Sequence, residues 1–197
     1  MMNNVDYVLI GNTRLHWAFN QTHGYEFSHT FLNESLPNNI DFKKLIWASV
    51  GKYPTNNFFK NNQVTLKDVN LKNIPNFIGV DRALVCFAAL RMIKNKLSKN
   101  LLIVDLGTTV SITKIDNQGN FLGGQLFPGF TTQLKSMEKN TKNLVFPEDL
   151  FIPSNKFEIS TMEAMLRGVY NSIIGAIKIS FDSTKDILIL CGGDANL

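Results

Sequence analysis

The sequence predicts an α/β protein of two lobes, and three observations carry that reading. Short apolar runs of strand length recur along the 197 residues, at 5–10, 45–50, 101–104 and 186–190. Longer stretches at 83–97 and 162–181 place their apolar residues at helical spacing. Each half also opens on the same device, a strand followed by a Gly-x-Thr turn and a second strand. The lobes are assigned to residues 1–98 and 99–197, with Ser98-Lys99-Asn100 as the polar joint.

The elements follow in order. Residues 5–10 read as a buried strand, and 14–19 as a second after a tight turn at Gly11-Asn12-Thr13; 25–32 reads as a third. The run Leu-Ile-Trp-Ala-Ser-Val at 45–50 fits a central parallel strand. Residues 54–75 are polar and asparagine-rich, with a strand-like piece at Gln63-Val64-Thr65-Leu66. The helix at 83–97 leaves Arg91, Lys94 and Lys96 off its apolar face. In the second lobe, 101–104 and 110–115 read as strands, 117–120 as a turn, and Phe121 opens a strand that ends at Gly123-Gly124. Residues 131–140 and 162–181 read as helices, and 186–190 as a last buried strand.

Composition narrows the function. No apolar run reaches the roughly 20 residues a membrane span requires. Met1 to Asp6 lacks a cationic segment followed by an apolar one, so no secretory signal is read and a cytoplasmic protein is expected. Cys86 and Cys191 each sit in an apolar run, and His16, His23 and His29 show no ligand spacing with them, so neither a disulfide nor a zinc site is expected. The net charge of +4 is spread over scattered lysines, which suits small anions and gives no basic arm for nucleic acid.

The internal repeat is the most informative feature. Val8-Leu9-Ile10-Gly11-Asn12-Thr13 lies over Val104-Asp105-Leu106-Gly107-Thr108-Thr109. A glycine at such a turn lets the backbone come close to a phosphate and offer N–H groups to it. The neighbouring Asn or Thr adds a donor, and a carboxylate at the strand end, here Asp105, can hold a cation that offsets phosphate charge. The same glycines also suit plain hairpin turns. Gly79-Val80-Asp81-Arg82 stands at an expected helix start, where an acid beside an arginine either caps the helix or serves as base and anion clamp. Gly123-Gly124-Gln125-Leu126-Phe127-Pro128-Gly129 allows a close approach of segments, and Gly192-Gly193-Asp194 follows a strand, a common resting place for a nucleotide.

Taken in order, these motifs resemble the type III pantothenate kinases. That family's Asp-x-Gly-Asn-Thr falls on Leu9 to Thr13, its Ser-Ser-Val on Ala48 to Val50, and its Gly-x-Asp-Arg on Gly79 to Arg82. Asp-x-Gly-Thr-Ala falls on Asp105 to Thr109, and Gly-Gly-x-Ile-x-Pro-Gly on Gly123 to Gly129. Thr-x-x-Ala-x-x-x-Gly falls on Thr161 to Gly168, and Thr-Gly-Gly-Asp on Cys191 to Asp194.

The resemblance implies an actin-like fold of two ribonuclease-H-like lobes with a nucleotide cleft. It implies phosphorylation of pantothenate by ATP, with Mg²⁺ and a monovalent cation (K⁺ or NH₄⁺), in a homodimer. It makes Asp81 the general base, with Gly79, Val80, Asp81, Arg82 and Thr161 on pantothenate. Gly11, Asn12, Thr13, Arg14 and Thr108 would line the ATP phosphates, and Asp105 would bind the monovalent cation.

The chain departs from the pattern at three places. Leu9 stands where the family has its first carboxylate, and Asp6, three positions earlier on a strand, points to the opposite face. Lys72 falls near the family's tyrosine, and Asn-Pro has become Ile74-Pro75. The resemblance further implies a helical segment beyond Leu197. These departures favour an alternative in which the fold is kept for binding or regulation without turnover.

Overall fold

A computed structural model describes residues 5–38, 40–52, 58, 60–93 and 98–196. Packing divides the chain into two units, Met1–Phe87 and Ala88–Leu197. The division falls inside the helix α1 (Val80–Ile93), while the second sheet begins at Asn100, beside the expected joint near residue 98.

The first unit is built on β1 (Tyr7–Ile10), β2 (Arg14–Gln21), β3 (Gly24–Phe31) and β4 (Ile46–Ser49), ordered β3-β2-β1-β4. β1 pairs antiparallel with β2 and parallel with β4. Alternation sends Val8, Ile10, Leu15, Trp17 and Trp47 to one face, where they bury with Leu45 and Phe58. Trp47 meets the Phe58 ring edge-on at 5.4 Å. Strand β4 is parallel as expected but lies at the edge of the sheet, and among the described residues a single bridge to Gln63 extends the pairing beyond it. The strand expected at 63–66 is therefore one bridge, after which Thr65 starts a 3-10 turn at Leu66–Asp68. Asp68 accepts from the Thr65 backbone N–H and hydroxyl, both at 2.8 Å, and this local bonding competes with strand pairing.

α1 starts three residues earlier than the apolar pattern indicates and buries Val80, Ala83, Cys86 and Ala89. Its expected extension over 94–97 lies outside the described residues.

The second unit repeats the plan. β5 (Asn100–Leu106), β6 (Thr109–Ile115), β7 (Phe121–Pro128) and β8 (Asp186–Cys191) are ordered β7-β6-β5-β8, with β5 antiparallel to β6 and parallel to β8. The two sheets thus share strand order and direction, so the duplication read from the two turns extends to whole sheets. Leu102, Val104, Leu106, Val110 and Ile112 pack under α2 (Phe130–Asn140) and α3 (Thr161–Ser180). α3 contributes Met165, Leu166, Val169, Ile173 and Ile177, a stripe near the 3.6-residue period.

Gly123-Gly124 does not end its strand, as the sequence suggests; β7 runs on to Pro128. Lys114 pairs with Gly123 and Ile115 with Phe121, so Leu122 is an extra residue, and Gly123 absorbs the bulge at φ 123°. Likewise β8 is an edge strand whose Leu190 is 49% exposed, where a buried strand was expected.

Asp186 is 3% exposed and is held by Lys114, whose Nζ lies 2.8 Å from Oδ1 and 2.9 Å from Oδ2. Burial pushes its pKa up, but the Lys114 hydrogen bond and the Asp182 N–H outweigh this and leave it below the usual carboxylate range. A lowered folded pKa contributes stability above the ordinary carboxylate pKa and loses it as pH falls through the folded value. Lys114→Met should cost about 2 kcal/mol at neutral pH, less than for a fully buried pair because the Lys114 side chain is 30% exposed. Urea unfolding at two pH values checks it: the deficit should shrink in acid.

Candidate active site

In the first unit, the β1–β2 turn is closed by the Gly11 N–H donating to the Arg14 carbonyl at 2.9 Å. A Cβ at position 11 would sit 3.0 Å from that oxygen and 3.6 Å from Nε2 of His16. Behind the turn, the chain leaving β4 folds back, and the Val50 and Gly51 N–H groups both donate to the Ile10 carbonyl, at 2.9 and 3.3 Å. A Cβ at Gly51 would overlap the Gly11 carbonyl, so this glycine is required by the approach of two backbones. Asn12 and Thr13 are exposed at the turn's tip. Arg14 is half-buried, with its guanidinium 4.9 Å over the Phe31 ring.

Leu9 pairs across the sheet with His16 on one side and Ala48 on the other, so all three share a face. Asp6 lies outside the strand, and its Oδ1 accepts from the Asn20 N–H at 2.8 Å, so it does not fill in for Leu9.

The second unit's turn has the equivalent construction. Asp105 takes the place of Leu9; it pairs with Ser111 and Cys191 and is half-buried at the end of β5. Thr108 is exposed, and its carbonyl accepts from the Gly129 N–H at 2.9 Å and the Thr132 hydroxyl at 2.7 Å. The Asp194 N–H donates to the Leu106 carbonyl at 2.9 Å, matching the Gly51 bond to Ile10 in the first unit. Gly192, at φ 96°, carries the chain past Asp105: a Cβ there would stand 2.5 Å from Asp105 Oδ1 and from the Leu106 nitrogen, and would overlap the Leu106 carbonyl. Glycine is thus required by the close approach of this backbone to Leu106 and Asp105, and Asp105 Oδ1 is the oxygen at this turn that a hard cation could meet. Leu9 offers no oxygen at the corresponding place in the first unit.

Gly192→Ala is therefore expected to destabilise the protein by about 2–3 kcal/mol through strain and overlap. Gly193→Ala, with nothing within 4 Å of the added carbon, is expected to stay within about 0.5 kcal/mol of the parent. Paired denaturant titrations read the difference.

The head of α1 carries the remaining candidate residues of the first unit. The Gly79 carbonyl accepts the Ala83 N–H at 3.1 Å, which places Gly79 at the helix start and Asp81 inside the first turn. Asp81 is half-buried, and its Oδ1 accepts the Arg82 N–H at 2.7 Å. A Cβ at Gly79 would overlap that carboxylate oxygen, so glycine makes room for the acid. Arg82 is half-buried; burial lowers its pKa, against the opposing pull of Cys86 and Asp81. An open cavity of about 700 Å³ adjoins Gly79 and Val80, and among its other lining residues are Ser49, Gln63, Thr65, Lys67 and Asn76.

Within the first unit the structure brings together Gly79, Val80, Asp81 and Arg82 at one helix start, and Gly11 to Arg14 at one turn. Asp105 and Thr108 are joined at the second unit's turn, while Thr161 is the first residue of α3 and is exposed. The sequence reading missed Gly51, whose signal is a glycine directly after the apolar 45–50 run, and His16, an alternating polar residue of β2. Among the described residues, no group of three His, Cys, Asp or Glu side chains is placed to hold a metal, and no helix is long and apolar enough to cross a membrane.

A family model described as type III pantothenate kinase matches residues 48–182. The type III pantothenate kinase of Thermosynechococcus vestitus is 27% identical over 197 residues, which cover 95% of this chain and 76% of that protein. That of Helicobacter pylori is 29% identical over 196 residues, covering 94% and 77%. Among solved structures, a protein described as a Baf family transcriptional activator from Campylobacter jejuni superposes with a TM-score of 0.65 at 19% identity, over 96% of this chain and 84% of that one. A protein described as a 2-dehydro-3-deoxygalactonokinase from Sinorhizobium meliloti gives 0.53 at 12% identity, over 98% and 94%. These two likenesses bear on fold, and they agree with the actin-like, sugar-kinase class of two duplicated α/β units expected from the sequence.

Proposed function

Since the chain belongs to the type III pantothenate kinase family, we propose that it transfers the γ-phosphoryl group of ATP to the primary hydroxyl of pantothenate. The product is 4'-phosphopantothenate, in the first step of coenzyme A biosynthesis. The observation that carries this reading is the intact Gly79-Val80-Asp81-Arg82 segment at a helix start beside an open cavity.

Asp81 accepts the hydroxyl proton as the oxygen–phosphorus bond forms and the bond from phosphorus to the ADP oxygen breaks. Phosphoryl transfer needs mainly positioning and charge neutralisation, and the α1 N-terminus and Arg82 supply positive potential at that point. Gly79, Val80, Arg82 and Thr161 hold pantothenate, and Lys67, which lines the cavity, adds counter-charge for its carboxylate. Gly11, Asn12, Thr13, Arg14 and Thr108 hold the ATP phosphates through backbone and side-chain donors. Asp105 at the end of β5 would hold the monovalent cation, K⁺ or NH₄⁺. Mg²⁺ bound with the nucleotide would supply further neutralisation of phosphate charge. The protein works as a cytoplasmic homodimer and takes neither nucleic acid nor membrane as partner.

Incubation with ATP, Mg²⁺, K⁺ and pantothenate, read by mass spectrometry, tests the proposal. Phosphopantothenate formed in proportion to enzyme supports it. Nucleotide binding with no product at high enzyme concentration would instead favour the binding or regulatory role to which Leu9 points.

A further inference from the structure

We propose that His16 contacts the nucleotide's phosphate as an imidazolium, and that this makes nucleotide affinity depend on protonation. The inference rests on the nucleotide reading of the Gly11 turn and deepens it.

Four observations carry it. His16 is the register partner of Leu9, so its side chain stands on the face where a carboxylate would otherwise project. Its Nε2 lies 3.6 Å from where a Cβ on Gly11 would be, which puts the ring at the turn itself. It is exposed, so a ligand can reach it. Its surroundings are rich in nitrogen: His29 pairs with it from β3, and Arg14 lies two residues away on the same strand and face. Partial desolvation, followed by the charges of His29 and Arg14, holds the pKa of this solvent-accessible ring below the ordinary histidine value, while its β1 neighbour Leu9 contributes no charge.

A positive environment disfavours a metal cation on the histidine pair and favours an anion. A phosphate arriving at the turn reverses the penalty, because the imidazolium gains a charge-assisted hydrogen bond. Binding then raises the His16 pKa and takes up a proton. The sign follows from linkage: affinity is highest below the free pKa and declines as pH rises toward the bound pKa. Nitrogen donors at this turn thus do directly what a carboxylate and its cation do elsewhere.

The test measures ADP binding by titration calorimetry from about pH 5.5 to about pH 8 for the parent chain, His16→Lys, His16→Gln and His29→Gln. The ratio of parent to His16→Lys affinity cancels the ligand's own titration. That ratio is expected to fall about tenfold across the range, with His16→Gln about tenfold weaker than the parent at the acid end. His29→Gln should move the transition to higher pH, because a competing positive group is gone. Thermal melts confirm that each variant is folded. A flat ratio, or His16→Gln binding equal to the parent at low pH, overturns the inference and leaves the nucleotide reading standing. A parent chain that binds no nucleotide overturns both. Tight Zn²⁺ binding that needs both histidines, with ADP affinity unaffected by either, overturns the inference in favour of a metal pair.

Discussion

Asp81→Asn is expected to lower kcat by about a thousandfold while leaving the KM for ATP within a factor of about two. The asparagine carbonyl can still accept the Arg82 N–H that Asp81 Oδ1 accepts at 2.7 Å, so the first turn of α1 keeps its local bond. What the variant loses is the capacity to take the hydroxyl proton. A melting temperature unchanged from the parent, together with the loss in kcat, separates this from a folding defect. A companion variant, Gly79→Ala, reaches the same oxygen sterically, because the added carbon overlaps the Asp81 carboxylate. It should fall between parent and Asp81→Asn, since the acid is displaced rather than removed. If Asp81→Asn retains more than about a tenth of parental kcat, Asp81 is a helix-start residue and the proton goes elsewhere.

The sheets were readable because their signal is local. Apolar alternation in β2 and β6 and the two Gly-x-Thr turns describe the strands that the structure holds, and the duplicated turns reflect duplicated sheets. The edge positions of β4 and β8 were not readable. An apolar run such as Ile46-Trp47-Ala48-Ser49 is buried on its faces whether or not a further strand flanks it, so composition does not reveal the edge. The bulge at Gly123 was likewise hidden, because a paired glycine looks like a terminating one until its partner Lys114 is known. Motif order alone singled out Asp81, Arg82 and Asp105 as candidates. The role of Gly51 and the nearness of His16 to Gly11 depend on which strand folds back over which turn, and that is a long-range fact.

Leu9→Asp should raise kcat about a hundredfold in the presence of Mg²⁺, the reverse of what losing a metal-positioning carboxylate costs. Position 9 tolerates the change: it is half-buried, and its register partner His16 offers an imidazole that a carboxylate would hold protonated. The two positions are therefore coupled. With His16 intact, part of the missing function is already supplied, so the gain from Leu9→Asp is smaller than it would be alone. Made in a His16→Gln background, the same substitution should give a larger rise, and the interaction energy of the double-mutant cycle should be at least about 1 kcal/mol. Additive effects would mean that the two side chains act on different parts of the reaction. A rate unchanged by Leu9→Asp in both backgrounds would mean that the first turn binds its phosphate through backbone and nitrogen donors alone, and that Asp105 is the one acid the nucleotide's cations require.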